Sequence, residues 1–155
     1  MKNEEGIKII CENRKAWHNY LIEEKFEAGI VLKGTEVKSL RSGKANLMDS
    51  YAIFKGDEVF LLNAHIPPYS HGNLLNHEPL RSRKLLLNRD EIKKLWTRIE
   101  IKGLSLIPLK LYFKKGICKV EIGIGKGKKS FDKRASEKER EVKRSLDKIT
   151  KVNRR

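Results

Sequence analysis

The residues of this chain best suited to covalent or metal chemistry are four histidines and two cysteines, and their spacing builds no such site. His65, His71 and His77 recur in a stretch broken by Pro67, Pro68 and Gly72. They lack the cysteine or carboxylate partners that a tetrahedral zinc site draws on, so they read as surface-loop histidines. Cys11 and Cys118 lie in apolar, strand-like runs, where a thiol is ordinarily buried and inert, and two cysteines make no disulfide framework. The run Gly123-Ile124-Gly125-Lys126-Gly127-Lys128-Lys129 departs from a P-loop at both ends. Ile122 stands where glycine is required, and Lys129 stands where Ser or Thr would meet the metal. The same residues suit a phosphate backbone, because glycines admit close approach and lysines neutralise charge. No catalysis, metal or cofactor is expected.

The charge points the same way. The 155 residues carry 35 Lys and Arg against 20 Asp and Glu, a formal net charge of +15 and a pI near 9.9, which calls for a polyanionic partner. Residues 126–155 hold 13 of those cations and 5 of the carboxylates, so about half the net charge sits in the final fifth. This segment has too few apolar groups for a core of its own and reads as a basic tail without fixed structure when free. Ala135, Val142, Leu146 and Ile149 nevertheless recur at helical spacing, so the tail can form one apolar stripe on a polyanionic surface. No stretch approaches the apolar length of a membrane span, and Met1-Lys2-Asn3-Glu4-Glu5 lacks a secretory signal. The expectation is a reduced, cytoplasmic protein with residues 1–125 as the folded domain.

Short β-like runs fill that domain: Ile7 to Cys11, Leu21 to Leu32, Ser50 to Phe54, Val59 to Asn63, Ser105 to Phe113 and Ile117 to Ile124. Lys55-Gly56-Asp57 and Lys114-Lys115-Gly116 turn two hairpins. One helix follows Asn88 as N-cap, with Ile92, Leu95, Trp96 and Ile99 as its apolar stripe and Gly103 as its stop. A shorter helix runs from Thr35, as cap, to Ser42, and another follows Asn13. Connections this short exclude repeated parallel crossovers. The pattern predicts a mainly β protein: a closed six-stranded antiparallel OB-like barrel with about three flanking helices. In the strand before Phe113, Leu109, Leu111 and Phe113 share one face and Lys110, Tyr112 and Lys114 the other, with Lys119 joining the solvent side. That face offers lysines for phosphates and Tyr112 for stacking on an unpaired base. Arg81-Ser82-Arg83-Lys84, Arg41-Ser42-Gly43-Lys44 and Asn13-Arg14-Lys15 add basic clusters beside turns and helix ends.

Longer motifs then identify a family. Phe26-Glu27-Ala28-Gly29-Ile30-Val31-Leu32, Gly34-Thr35-Glu36-Val37-Lys38-Ser39-Leu40-Arg41 and Gly43-Lys44-Ala45-Asn46-Leu47 resemble the bacterial SsrA-binding (small protein B) family. The likeness continues through His65-Ile66-Pro67-Pro68-Tyr69, Arg81-Ser82-Arg83-Lys84-Leu85-Leu86-Leu87, Cys118-Lys119-Val120 and Gly127-Lys128-Lys129, to Asp132-Lys133-Arg134. The resemblance implies binding to the tRNA-like domain of transfer-messenger RNA (tmRNA) and its delivery to ribosomes stalled on messages without a stop codon. It also implies that the tail enters the empty mRNA channel beside the small-subunit decoding centre and becomes helical there. It further implies elongation factor Tu and alanyl-tRNA synthetase as partners through the shared RNA.

The resemblance gives Glu27, Leu86 and Lys119 as RNA-facing: Lys119 on phosphate, Leu86 on a base or sugar, and Glu27 accepting from amino groups or a 2′-hydroxyl. Two competing expectations stand beside these, a core position for Leu86 and a merely arginine-orienting Glu27. Asn13, Lys15, Arg41, Lys44, Arg83 and Lys84 extend the surface by motif and charge. The resemblance further implies a ribosome-binding tail of Gly127, Lys128, Lys129, Phe131, Asp132, Lys133 and Arg134. Phe131 stands where many relatives have histidine, so stacking without proton transfer is expected there. The rival readings are a general single-strand-binding or ribosomal structural protein and, more distantly, a small RNA-acting enzyme.

Overall fold

The computed structural model describes residues 6–72, 75–129, 134 and 138–146. The strands are β1 (Ile7–Glu12), β2 (Tyr20–Ile30), β3 (Tyr51–Lys55), β4 (Glu58–Leu62), β5 (Arg83–Leu86), β6 (Ser105–Lys114) and β7 (Ile117–Gly127). They form one antiparallel sheet in the order β1-β6-β7-β2-β5-β4-β3. The fold is mainly β, as expected, but with seven strands rather than six. The addition is β5, a four-residue strand whose Leu85 enters the core. The sheet curls until β3 lies against β6, yet no β3–β6 ladder forms among the described residues, so the ring is not hydrogen-bonded shut. A groove of about 790 Å³ marks the seam between Tyr51–Phe54 and Leu104–Ile107.

Helices α1 (Arg14–Asn19), α2 (Gly34–Arg41) and α3 (Arg89–Trp96) flank the sheet. A π-helical turn, Thr97–Ile101, continues α3, and residues 138–146 are also helical. Asn88 caps α3, its N–H donating to Glu91 Oε1 at 3.2 Å, and Gly103 stops the helix at φ +71°. The N-cap of α2 lies two residues before the expected Thr35: it is Lys33, whose N–H donates to Glu36 Oε1 at 2.8 Å. Trp96, expected on the apolar stripe, is exposed, while Leu95 and Ile99 do face the core.

Leu61, Leu85, Leu111, Val120, Ile122 and Ile124 pack inside the curl with Leu40 of α2 and Leu95 of α3. A second, smaller cluster of Ala16, Ile107 and Leu109 lies under α1. The expected row Leu109-Leu111-Phe113 is therefore broken. Pro108 has no N–H for the ladder, the register with β7 slips between Pro108 and Lys110, and Leu109 turns away from the main core.

Candidate nucleic-acid interface

A charge cluster in the interior fixes the strand that carries Leu86. Glu36 faces inward from α2 and is fully buried. It accepts from Arg81 Nη2 at 2.5 Å and from Arg83 Nε. Arg83, equally buried, also donates to Ala64 O at 2.7 Å and Pro79 O at 3.1 Å. Burial pushes the Glu36 carboxyl up, but Arg81, the Lys33 N–H and Arg83 outweigh it and hold the pKa below the ordinary value. His77, expected on the surface, is buried: Nε2 donates to Ile66 O at 2.9 Å, and Nδ1 shares a hydrogen bond with Thr35 Oγ1 at 2.9 Å. Together with Ser39 donating to Pro67 O at 2.6 Å, these contacts tie the loop before β5 to α2.

The outer face of β6, β7, β2 and β5 carries the surface this framework holds. Tyr112 pairs with Lys119, Lys119 with Gly29, and Gly29 with Leu86, one row across four strands. Glu27 lies two residues along β2 on the same face. Lys119 and Leu86 are thus two strand spacings apart, roughly 10 Å, with only glycine between them. A Cβ on Gly29 would come within 3.3 Å of Leu86 Cβ, so the glycine lets Leu86 lean over the β2 backbone. Leu86 is 50% exposed, which removes its core reading. Among the described residues no carboxylate pairs with Lys119, whereas Lys114 lies 3.5 Å from Glu27 and Lys110 lies 3.5 Å from Glu121.

The partner of Glu27 is a tyrosine, not an arginine for it to orient: the Tyr112 hydroxyl donates to its Oε2 at 2.5 Å. That hydrogen bond, then Lys114 and Lys119, hold the carboxyl below its usual range against partial burial. Burial and the same hydrogen bond push the Tyr112 phenol well above its ordinary value, which keeps it a donor. Tyr112 is only 5% exposed, so it offers no face for base stacking. This corrects its expected role.

The remaining sequence candidates divide. Asn13 is buried as the N-cap of α1, with its Nδ2 donating to Pro108 O at 2.9 Å and its backbone N to Leu109 O at 2.7 Å. Like Arg83, it is structural rather than RNA-facing. Lys15, Arg41 and Lys44 are exposed, Lys15 on α1 and the other two at the end of α2 and just beyond it. Lys84 is half-exposed on β5, 3.3 Å from Glu58. Gly127 ends β7, and Lys128 is tied to α1 through its N–H to Asn19 O at 2.8 Å and its Nζ to Trp17 O at 3.1 Å. Lys129 and Arg134 are exposed, and Phe131, Asp132 and Lys133 lie outside the described residues. In the helix 138–146, Val142 and Leu146 fall one turn apart and are both exposed.

Sequence reasoning missed Glu36 and the positioning role of Tyr112. The first had a signal, since Glu36 shares a helical face with the inward Leu40, and a carboxylate there demands a buried cation. The second had none, because Tyr112 and Glu27 are 85 residues apart. Burial raises the Cys11 thiol to about 11 and the Cys118 thiol to about 12, values unsuited to a nucleophile. Among the described residues no group of His, Cys, Asp or Glu could hold a metal ion, and no helix is long and apolar enough to cross a membrane.

A curled antiparallel sheet with a cationic, partly apolar outer face and a basic C-terminal extension is the class of protein defined here. Comparison with known proteins makes it specific. The family model described as SmpB protein matches residues 10–152, and the chain belongs to that family. SsrA-binding proteins are 57% identical over 150 residues in Syntrophobacter fumaroxidans (97% of this chain, 93% of that one) and 57% over 141 in Geobacter metallireducens (91% and 92%). A solved chain described as "tmRNA-SmpB: a journey to the center of the bacterial ribosome" is 50% identical, with a TM-score of 0.65 over 77% of this chain and 85% of that one.

Proposed function

We propose that this protein binds the tRNA-like domain of tmRNA through the Glu27, Leu86 and Lys119 face and delivers that RNA to stalled ribosomes for trans-translation. The observation that carries the reading is the row Lys119-Gly29-Leu86 beside Glu27, in a chain 57% identical to SsrA-binding proteins over nearly its whole length. The row offers a phosphate-neutralising ammonium, an apolar platform and an oriented acceptor within one nucleotide's reach. Lys15, Arg41, Lys44 and Lys84 extend the basic footprint around it. The curled sheet serves as an OB-like barrel, and the protein works in the cytoplasm as a binding factor with no catalytic step of its own.

The tail, 126–155, acts separately by probing the empty mRNA channel near the decoding centre. Within it, the helical residues 138–146 lie against a polyanionic surface through their lysines and arginines. Phe131 stacks on one ribosomal base. Truncation after Lys129 should leave the fold and RNA affinity intact and abolish peptide tagging on stalled ribosomes. Phe131→Ala should weaken ribosome engagement by about 1–3 kcal/mol. Unfolding on truncation, or unchanged tagging by either variant, would contradict this division of labour.

A further inference from the structure

Leu86 faces two ways. It ends the row Lys119-Gly29-Leu86, and it also lines a groove of about 430 Å³ between β5 and α3. Leu86, Leu87 and Ile92 give the groove an apolar floor, and Arg89 and Lys93 of α3 form one wall. These two cations are exposed and one helical turn apart, with Cβ atoms roughly 5–6 Å from each other, close to the separation of successive phosphates along a strand. Neither makes an ion pair among the described residues. Asp57 and Glu58 stand on the opposite lip, where Glu58 is neutralised by Lys84 at 3.3 Å. The groove is therefore asymmetric: cationic along α3, apolar below, acidic across.

We propose that Arg89 and Lys93 form a second phosphate-binding subsite, continuous with the Lys119 row, which takes the next two phosphates of the RNA strand that crosses Leu86. The strand runs from Lys119 over Gly29 and Leu86 into the groove. Its backbone lies against α3 and its sugars rest on Leu87 and Ile92. The acidic lip repels phosphate and so fixes which side of the groove the backbone follows. This subsite rests on the tmRNA reading above and adds residues to it that no motif singled out.

The test is a titration of the full chain with the tRNA-like domain of tmRNA at salt from about 50 to 300 mM, comparing wild type, the double variant Arg89→Ala/Lys93→Ala, Lys119→Ala, and Lys102→Ala as an exposed lysine outside the groove. Alanine is the best helix former and both positions are exposed, so α3 is retained, and an unchanged melting temperature verifies this. The double variant should lose about 10- to 100-fold in affinity at low salt, and the slope of log affinity against log salt should become shallower by roughly 1.4–1.8, while Lys102→Ala leaves both unchanged. A wild-type slope in the double variant, with Lys119→Ala still weakening binding, would overturn the subsite alone. A wild-type protein with no affinity for this RNA would overturn the parent reading and the subsite together.

Discussion

Replacing Arg83 with alanine separates a structural arginine from an RNA-binding one. Its motif and charge suggest RNA contact, yet its side chain is fully buried on Glu36 and on the Ala64 and Pro79 carbonyl oxygens. Arg83→Ala leaves a buried carboxylate held by Arg81, which is itself 25% exposed, and by the Lys33 N–H. Removing one partner of a buried pair costs about 3–5 kcal/mol. At about 2–4 °C per kcal/mol for a chain of this size, the melting temperature should fall by roughly 6–20 °C. RNA affinity, measured well below the variant's own midpoint, should stay within about threefold of wild type, less than 1 kcal/mol. The pH dependence has a definite sign. The folded pKa of Glu36 lies below the ordinary value of 4.5, so its stabilisation is present above that value and is lost as pH falls through the lower folded one. Glu36→Gln should flatten this acid limb. An Arg83→Ala protein with an unchanged melting temperature and lost RNA binding would place Arg83 on the RNA instead of in the interior.

Two further outcomes follow from the outer face. Tyr112→Phe removes the hydrogen bond that chiefly holds the Glu27 pKa down, so the carboxyl protonates at higher pH. RNA affinity should stay near wild type at neutral pH and fall earlier on acidification, and superimposable pH profiles would remove the acceptor role of Glu27. Leu86→Ala deletes a half-exposed side chain, so it should cost about 1 kcal/mol or less in stability and roughly tenfold in RNA affinity, with calorimetry and titration reading the two separately. A large loss of stability with unchanged affinity would return Leu86 to the core.

What the sequence revealed depended on how local each interaction is. Period-two alternation was readable in β7, where Cys118, Val120, Ile122 and Ile124 face inward and Lys119 and Glu121 outward. Asn88 and Gly103 bounded α3 because caps and positive-φ stops act within one turn. β5 stayed hidden because a four-residue strand inside Arg81-Ser82-Arg83-Lys84-Leu85-Leu86-Leu87 shows too few periods to separate it from a basic loop. Arg83 misled for a related reason: its partner Glu36 is 47 residues away, and charge alone does not tell a buried arginine from an exposed one. The bulge at Pro108 shifted a face that strict alternation would have kept. The residues proposed to face RNA, Glu27, Leu86 and Lys119, came from the family's motifs. Strand register then brought them to one face across a glycine, which no single motif could show.

Titrating the full chain with the isolated tRNA-like domain of tmRNA in excess elongator tRNA, at several salt concentrations, decides whether its RNA partner is a dedicated one. Binding should be tight, resist the competitor and weaken about tenfold with Lys119→Ala. Weak binding that bulk tRNA displaces, with affinity governed by salt alone and indifferent to Lys119→Ala, would contradict it and leave a general basic RNA-binding domain.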